Sequence, residues 1–253
     1  MARRLINQNR QAEWAEQDRL QTRLVAASSV RLQREIGRTM RVMLQDFERT
    51  GNVHANDEHQ RRVRQILTAG YSEAIQASAD RLLDGAKGFH GRMWHKDRRS
   101  VYERILLEFL AKRGGAQIAD DISETTKRQI MTMVAMGRRD GLGQDAIARM
   151  ISGRIATVSR ARSAVIARTE THSAAGFANH EAAVDTGLPL DKEWISAADE
   201  RTREDHSAAD GQTVHIHEPF SVGGESLAFP GDPSGSAEMI INCRCVESFV
   251  VRE

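Results

Sequence analysis

The sequence predicts an α+β protein, in which a long, mainly helical N-terminal region is followed by a small, loop-rich C-terminal domain with short antiparallel strands. Apolar residues recur at helical spacing through roughly the first 190 residues. Aromatic residues make up only 5% of the chain, which favours helices packed through Ala, Leu, Ile and Met over a β-sandwich or barrel. All four prolines lie beyond residue 188. We therefore expect a helical region, residues 1–154, and a C-terminal domain, residues 155–253.

Successive amphipathic helices account for the N-terminal region. Ile36, Met40, Met43 and Phe47 follow one another at spacings of four, three and four residues, which is the apolar stripe of a helix that buries one face. Three glycines between residues 84 and 91 predict a loop. Six helices are expected, at residues 9–49, 56–83, 96–112, 120–138, 144–151 and 157–184.

Short strands are predicted after Gly187-Leu188-Pro189, where β-branched and aromatic residues alternate with turn sequences. The turn sequences are Gly223-Gly224 and the glycine- and proline-rich stretch at residues 229–235. Four strands are expected, at residues 193–195, 213–217, 239–241 and 246–251.

The net charge of +1 conceals an asymmetry along the chain. Through Thr171 there are 31 Lys+Arg and 20 Asp+Glu, whereas from His172 onward there are 5 and 15. A split of this size indicates two regions with different partners. The chain has no apolar run near the ~20 residues that span a bilayer and no apolar segment after the basic Arg3-Arg4. We therefore expect no membrane partner and a protein assembled in the cytoplasm.

The C-terminal domain carries an ordered series of motifs. Its members are Arg168-Thr169-Glu170, Trp194, Asp199-Glu200-Arg201, His206, Asp210-Gly211 and Asn242-Cys243-Arg244-Cys245. This order, over about residues 155–250, resembles the phage Mu F-like head morphogenesis family. The resemblance implies that these residues form the structural motif of the domain.

The resemblance also implies a function. Members of that family are minor head proteins of tailed bacteriophages, so we expect a virion protein in the capsid interior that acts in head morphogenesis, DNA packaging or DNA delivery. The expected partner is the phage portal protein. Further candidate partners are the major capsid protein, a scaffolding protein and double-stranded DNA.

The two cysteines, Cys243 and Cys245, are candidates for a structural zinc site. On an extended strand their Cα atoms would lie roughly 6.6 Å apart, so a disulfide between them is not expected. Together with His206, and with either His215 or His217, they would provide a Cys2His2 ligand set. The alternative is that both thiols are small buried apolar groups and that the histidines lie on the surface.

The charged motif residues are expected to form one salt-bridge network that fixes the domain to its last long helix, because Arg pairs well with carboxylates. Its expected members are Arg168, Glu170, Asp199, Arg201 and Arg203. Arg244 is expected to pair with Asp199 or Asp232.

Two other functions remain open at this point. Asp199 and His206 could form an acid–base pair, which would make the protein a metal- or Asp/His-dependent hydrolase acting on nucleic acid or cell wall. The sequence lacks a glycine-rich nucleotide loop and a His-Glu-x-x-His motif, so an enzyme is not predicted.

The second alternative is a nonspecific DNA-binding packaging accessory. Arginines in the basic region are candidate phosphate contacts, some of them near Phe89 and Trp94. The same arginines could equally serve as solvated, paired residues on helix faces. The candidates are Arg61, Arg62, Arg64, Arg98 and Arg99.

Overall fold

A computed structural model describes residues 3–54, 57–90, 97–113 and 115–252. Long helices dominate these ranges and short antiparallel strands follow them, which confirms the predicted α+β class. The long helices are α1 (Arg10–Thr50), α2 (Asp57–His90), α3 (Arg98–Arg113), α4 (Gly115–Arg139) and α5 (Gln144–Asp185). No helix among the described residues combines the length and apolarity that a membrane crossing requires.

Helix α2 continues through the residues predicted to be a loop. The prediction of a loop over the described residues 84–90 is wrong. Gly85 does not form a turn there, but lies in the helix where another segment of the chain packs closely against it. A Cβ atom on Gly85 would lie 2.7 Å from Cγ1 of Ile6 and 3.2 Å from the carbonyl oxygen of Leu5. Glycine is the residue that allows two backbones to approach so closely.

Helix α5 is also longer than predicted, since it runs without a break where two helices were expected. Gly153 lies in the predicted gap and is exposed. Ile151 and Ile155 on either side of it are buried in one apolar cluster. The free energy gained by burying these two isoleucine side chains exceeds the cost of about 1 kcal/mol that a glycine imposes inside a helix.

The strands form a four-stranded antiparallel sheet and a separate hairpin. The order in the sheet is β1 (Arg3–Arg4), β6 (Val246–Val251), β2 (Leu190–Ile195) and β3 (Thr213–His215). In the central pair, Asp191 lies opposite Val250 and Trp194 opposite Glu247. The hairpin consists of β4 (Phe220–Val222) and β5 (Glu225–Leu227).

One predicted strand is wrong, because residues 239–241 do not pair with another strand. Two short helices complete the described elements, α6 (Glu204–Ala208) and α7 (Ala237–Ile240). In α7, the backbone N–H groups of Met239 and Ile240 both donate to the carbonyl of Ser236, at 2.9 and 3.1 Å. Both apolar side chains are buried by this single helical turn. A short apolar run does not distinguish such a turn from a strand.

The chain folds into two compact units, each built from separate segments of sequence. The first unit comprises Met1–Val25, Gly70–Arg113 and Arg168–Glu253 and contains the sheet and the hairpin. Its core around the motifs includes Trp194, Phe220, Val222, Leu227, Ile240, Cys243 and Cys245.

The second unit comprises Ala26–Ala69 and Gly114–Ala167. Its described elements are helical segments. The predicted stripe of Ile36, Met40, Met43 and Phe47 is buried in its core, which confirms the helical periodicity. The facing core residues are Ile130, Met133, Val134, Ile147, Ala148, Ile151 and Ile155.

Helix α5 offers a matched pair of glycines that tests the packing. A Cβ on Gly176 would lie 2.6 Å from the carbonyl oxygen of Pro230, whereas a Cβ on Gly153 would meet nothing within 4 Å. We expect Gly176→Ala to lower the free energy of unfolding by about 1–3 kcal/mol, through overpacking. Gly153→Ala should raise it by roughly 0.5–1 kcal/mol. Denaturant unfolding measures both changes, and equal effects of the two substitutions would contradict the packing described.

Candidate functional site

The segment Asn242-Cys243-Arg244-Cys245 forms the turn between α7 and β6, so Cys243 and Cys245 do not lie on the extended strand that the predicted spacing of their Cα atoms assumed. Asn242 adopts a left-handed conformation, with φ of 57°, which asparagine tolerates better than most residues. Its backbone N–H donates to Oγ1 of Thr169 at 3.2 Å. Its side-chain Oδ1 accepts a hydrogen bond from Arg168 at 2.9 Å. Two residues of the α5 motif therefore hold the turn in place.

The turn brings both sulfur atoms to one histidine. Nδ1 of His206, on α6, lies 3.3 Å from Sγ of Cys245 and 3.6 Å from Sγ of Cys243. The ligand atoms of these three buried residues all lie within 4.8 Å of one another. The cysteines are not joined in a disulfide. The structure thus assembles three of the five residues predicted as candidate zinc ligands.

The other two candidate ligands, His215 and His217, do not belong to this cluster. His215 is half-buried at the end of β3 and His217 is exposed in the turn that follows. Their rings lie 5.4 Å apart and contact each other. The geometry therefore does not support the prediction that His215 or His217 is the fourth ligand.

A histidine that sequence reasoning missed lies beside the cysteines instead. His172, on α5, is 2% exposed, and it is one of the groups that lower the pKa of Cys243. Its Nδ1 lies 2.9 Å from Oε1 of Gln21. Its Nε2 is buried without a conventional hydrogen-bond partner. The signal was its position four residues after Arg168, which places both side chains on one face of α5.

The two thiols influence each other's protonation. A hydrogen bond from Cys245, supported by His172 and His206, lowers the pKa of Cys243 well below its usual value. The adjacent Cys243 sulfur and burial raise the pKa of Cys245. The indole N–H of Trp194 and the backbone N–H of Ala197 act in the opposite direction and lower the pKa of Cys245, without cancelling the rise.

Trp194 and the Asp210-Gly211 turn position His206. The Trp194 ring is fully buried and lies edge-on to His206, with centroids 5.7 Å apart. The backbone N–H of Gly211 donates to the Trp194 carbonyl at 2.9 Å, and Gly211 has a φ of 81°. Asp210 accepts a hydrogen bond from the backbone N–H of Ser196 at 2.7 Å. These contacts fix the end of β2 against the ring.

Asp199 pairs with Arg244, which confirms one of the two partners predicted for this arginine. A hydrogen bond from Arg244 lowers the pKa of Asp199 below its usual range. The other candidate, Asp232, accepts hydrogen bonds from the backbone N–H groups of Ala228 and Ser234. Since Asp199 lies against Arg244 and His206 faces the two sulfurs, the structure does not assemble these two residues as an acid–base pair.

Glu170 forms a separate buried contact, so the expected single network of charged motif residues is wrong. Its carboxylate accepts hydrogen bonds from the Tyr71 hydroxyl at 2.7 Å and from Arg113 at 2.7 and 3.2 Å. Burial and the neighbouring carboxylate raise the pKa of Tyr71. Arg201 instead lies 3.6 Å from Asp199. Arg203 and Arg168 also have other partners, the Ile241 carbonyl and Asn242 respectively.

Removing the Glu170 carboxylate should strongly destabilise the first unit. Glu170→Ala would leave the Arg113 guanidinium and the Tyr71 hydroxyl without this buried acceptor, at an expected cost of about 3–5 kcal/mol. Glu103→Ala is the matched control, because Glu103 pairs with Arg99 on an exposed helix surface and should cost under about 0.5 kcal/mol. Chemical denaturation of both variants measures the difference. A cost for Glu170→Ala as small as that of the control would show that the buried pair contributes nothing.

Four of the five arginines proposed to contact nucleic acid are paired with carboxylates. Arg61 and Arg62 contact Glu58. Arg98 contacts Asp80 and Asp84, and Arg99 contacts Glu103. Trp94 lies outside the described residues. A DNA contact therefore stays a prediction, with part of the positive charge already compensated within the chain.

Comparison with known proteins identifies the domain that contains these motifs. Residues 128–248 match the family described as Phage Mu protein F like protein. The matched residues include the Arg-Thr-Glu segment of α5, the Cys/His cluster and His172. Residues 128–248 are therefore similar to this phage family, as the motif order predicted.

Three curated proteins resemble parts of the chain. The NAD(+)--arginine ADP-ribosyltransferase EFV of Enterococcus faecalis is 31% identical over 135 residues, which are 52% of this chain and 26% of that protein. The uncharacterized protein YqbB of Bacillus subtilis is 33% identical over 36% of this chain and 32% of its own length. The Minor head protein GP7 of Bacillus phage SPP1 is 32% identical over 48% of this chain and 40% of its own length.

The matched segment thus spans only about a quarter to two fifths of these relatives. No solved structure matches the chain.

Proposed function

We propose that this chain is a minor head protein of a tailed bacteriophage that associates with the portal and acts in head morphogenesis, DNA packaging or DNA delivery. The observation that carries the proposal is the match of residues 128–248 to the family described as Phage Mu protein F like protein. The 32% identity to Minor head protein GP7 also supports it. The proposed location is the capsid interior.

The contacts of the motif residues support a structural role. Arg168 and Thr169 hold the Asn242 turn, and Glu170 accepts hydrogen bonds from Tyr71 and Arg113. Each of these side chains is engaged within the protein, where it specifies the fold. The match to the ADP-ribosyltransferase concerns 26% of that protein, so the proposal treats the shared segment as a common domain and not as a transferase.

The portal contact is assigned to the second unit. This unit exposes several large apolar side chains on its helices, including Val30, Val42 and Met131, which are 48%, 40% and 49% exposed. Apolar side chains on a surface can provide the anchors of a protein interface. Leu107, on α3 of the first unit, is 68% exposed and provides a comparison outside the proposed interface.

The first test is the composition of the virion. If the proposal is right, mass spectrometry of purified virions will detect this chain in a fixed ratio to the portal protein. Virions from which a nuclease and a protease have removed surface-bound material should retain it, because the capsid protects its interior. A chain that is produced during infection but absent from treated virions would contradict the proposal.

The second test concerns the portal. The full-length chain should co-purify with the portal protein, and Val30→Glu combined with Met131→Glu should weaken binding at least tenfold, because charges placed at an apolar contact are desolvated without partners. Leu107→Glu should leave binding unchanged. Surface substitutions of this kind change stability by only about 0.5 kcal/mol. Equal binding by all variants would remove the second unit as the interface.

A further inference from the structure

The Cys/His cluster has the spacing of a tetrahedral metal site. In such a site the bond from zinc to sulfur is about 2.3 Å long and the bond from zinc to nitrogen about 2.05 Å. At a tetrahedral angle between these two bonds, the sulfur and nitrogen atoms lie roughly 3.6 Å apart. Nδ1 of His206 lies 3.3 and 3.6 Å from the sulfurs of Cys245 and Cys243. One ion could therefore contact all three atoms with only small movements of the side chains.

His172 has the properties of a fourth ligand. Its Nδ1 lies 2.9 Å from Oε1 of Gln21, and because an amide oxygen only accepts, this nitrogen carries the proton. In the neutral ring, Nε2 is then the nitrogen that can offer a lone pair to a metal ion. That atom is buried, has no conventional hydrogen-bond partner and belongs to a ring beside Cys243. A buried ring nitrogen without a partner is costly, and a metal ion would satisfy it.

The surroundings favour zinc over other ions. Two thiolates and two imidazoles form a soft set of donors, which selects zinc over magnesium or calcium. The Gln21 amide orients the His172 ring through its contact with Nδ1. Such outer contacts fix the ligands of protein metal sites. A cleft of about 230 Å³, lined by Gln21 and Cys243 among other residues, provides a path for the ion to enter.

We propose that His206, Cys243 and Cys245 bind one structural zinc ion that joins α6 to the turn before β6, and that the His172 side chain, which lies outside this group of three, moves toward the ion from α5 as the fourth ligand. Four protein ligands leave no open coordination position, as in structural and not catalytic zinc sites. The ion would link three segments that are distant in sequence, and its binding would add directly to the stability of the fold.

Elemental analysis and cobalt spectroscopy test this proposal on the untagged full-length chain. Protein purified with zinc present should contain one zinc per chain, and removal by a chelator should lower the melting temperature. Co²⁺ added to the metal-free chain should give the strong visible absorption of tetrahedral coordination together with a thiolate-to-metal band. Protein without stoichiometric metal, or with a melting temperature that neither chelator nor zinc changes, would overturn the proposal.

Variants separate the four ligands from the neighbouring histidines. His172→Ala and His206→Ala should lose stoichiometric zinc, whereas His215→Ala and His217→Ala should keep it. If the ligand variants do not fold, Gln21→Ala still tests the site. It removes no ligand and should weaken zinc binding about 10- to 100-fold, and Gln21→Glu, which keeps an acceptor for Nδ1, should restore binding. Zinc retained equally by all these variants would overturn the assignment of His172.

Discussion

The fold of the motif-bearing unit depends on one contact, the attachment of the Asn242 turn to helix α5. Arg168 and Thr169 provide both hydrogen bonds of this attachment, one to the side chain and one to the backbone of Asn242. The left-handed turn then directs Cys243 and Cys245 inward, while Arg244 between them reaches Asp199 at the surface. Motifs that are more than 70 residues apart in the sequence therefore contact each other in the folded domain.

Local patterns in the sequence predicted a large part of the fold. The stripe from Ile36 to Phe47 is buried as a helical face, and β6 occupies the predicted residues 246–251. Arg244 was predicted to pair with a carboxylate, and Asp199 is one of the two partners that were named. These features depend on periodicity or on one strongly charged pair, and both are visible without knowledge of the tertiary structure.

The wrong predictions have a common physical cause. The structural role of each residue concerned depends on a partner that is distant in the sequence. Gly85 was predicted to lie in a loop, but its lack of a side chain allows Leu5 and Ile6 to pack closely against the helix. Glu170 pairs with Arg113, which no motif indicated. His172 was missed as a neighbour of Cys243 because it lies within a long helix, while the more conspicuous His215 and His217 pack against each other.

The central claim is that the α5 motif builds structure by holding the turn. A double-mutant cycle of Arg168→Ala and Asn242→Gly tests it most directly, because glycine keeps the left-handed conformation and removes only the side-chain acceptor. Equilibrium unfolding of the wild type, both single variants and the double variant gives the coupling energy. The account predicts a coupling of about 1–2 kcal/mol, as for a hydrogen bond to a charged group. Effects that add within about 0.3 kcal/mol would contradict it.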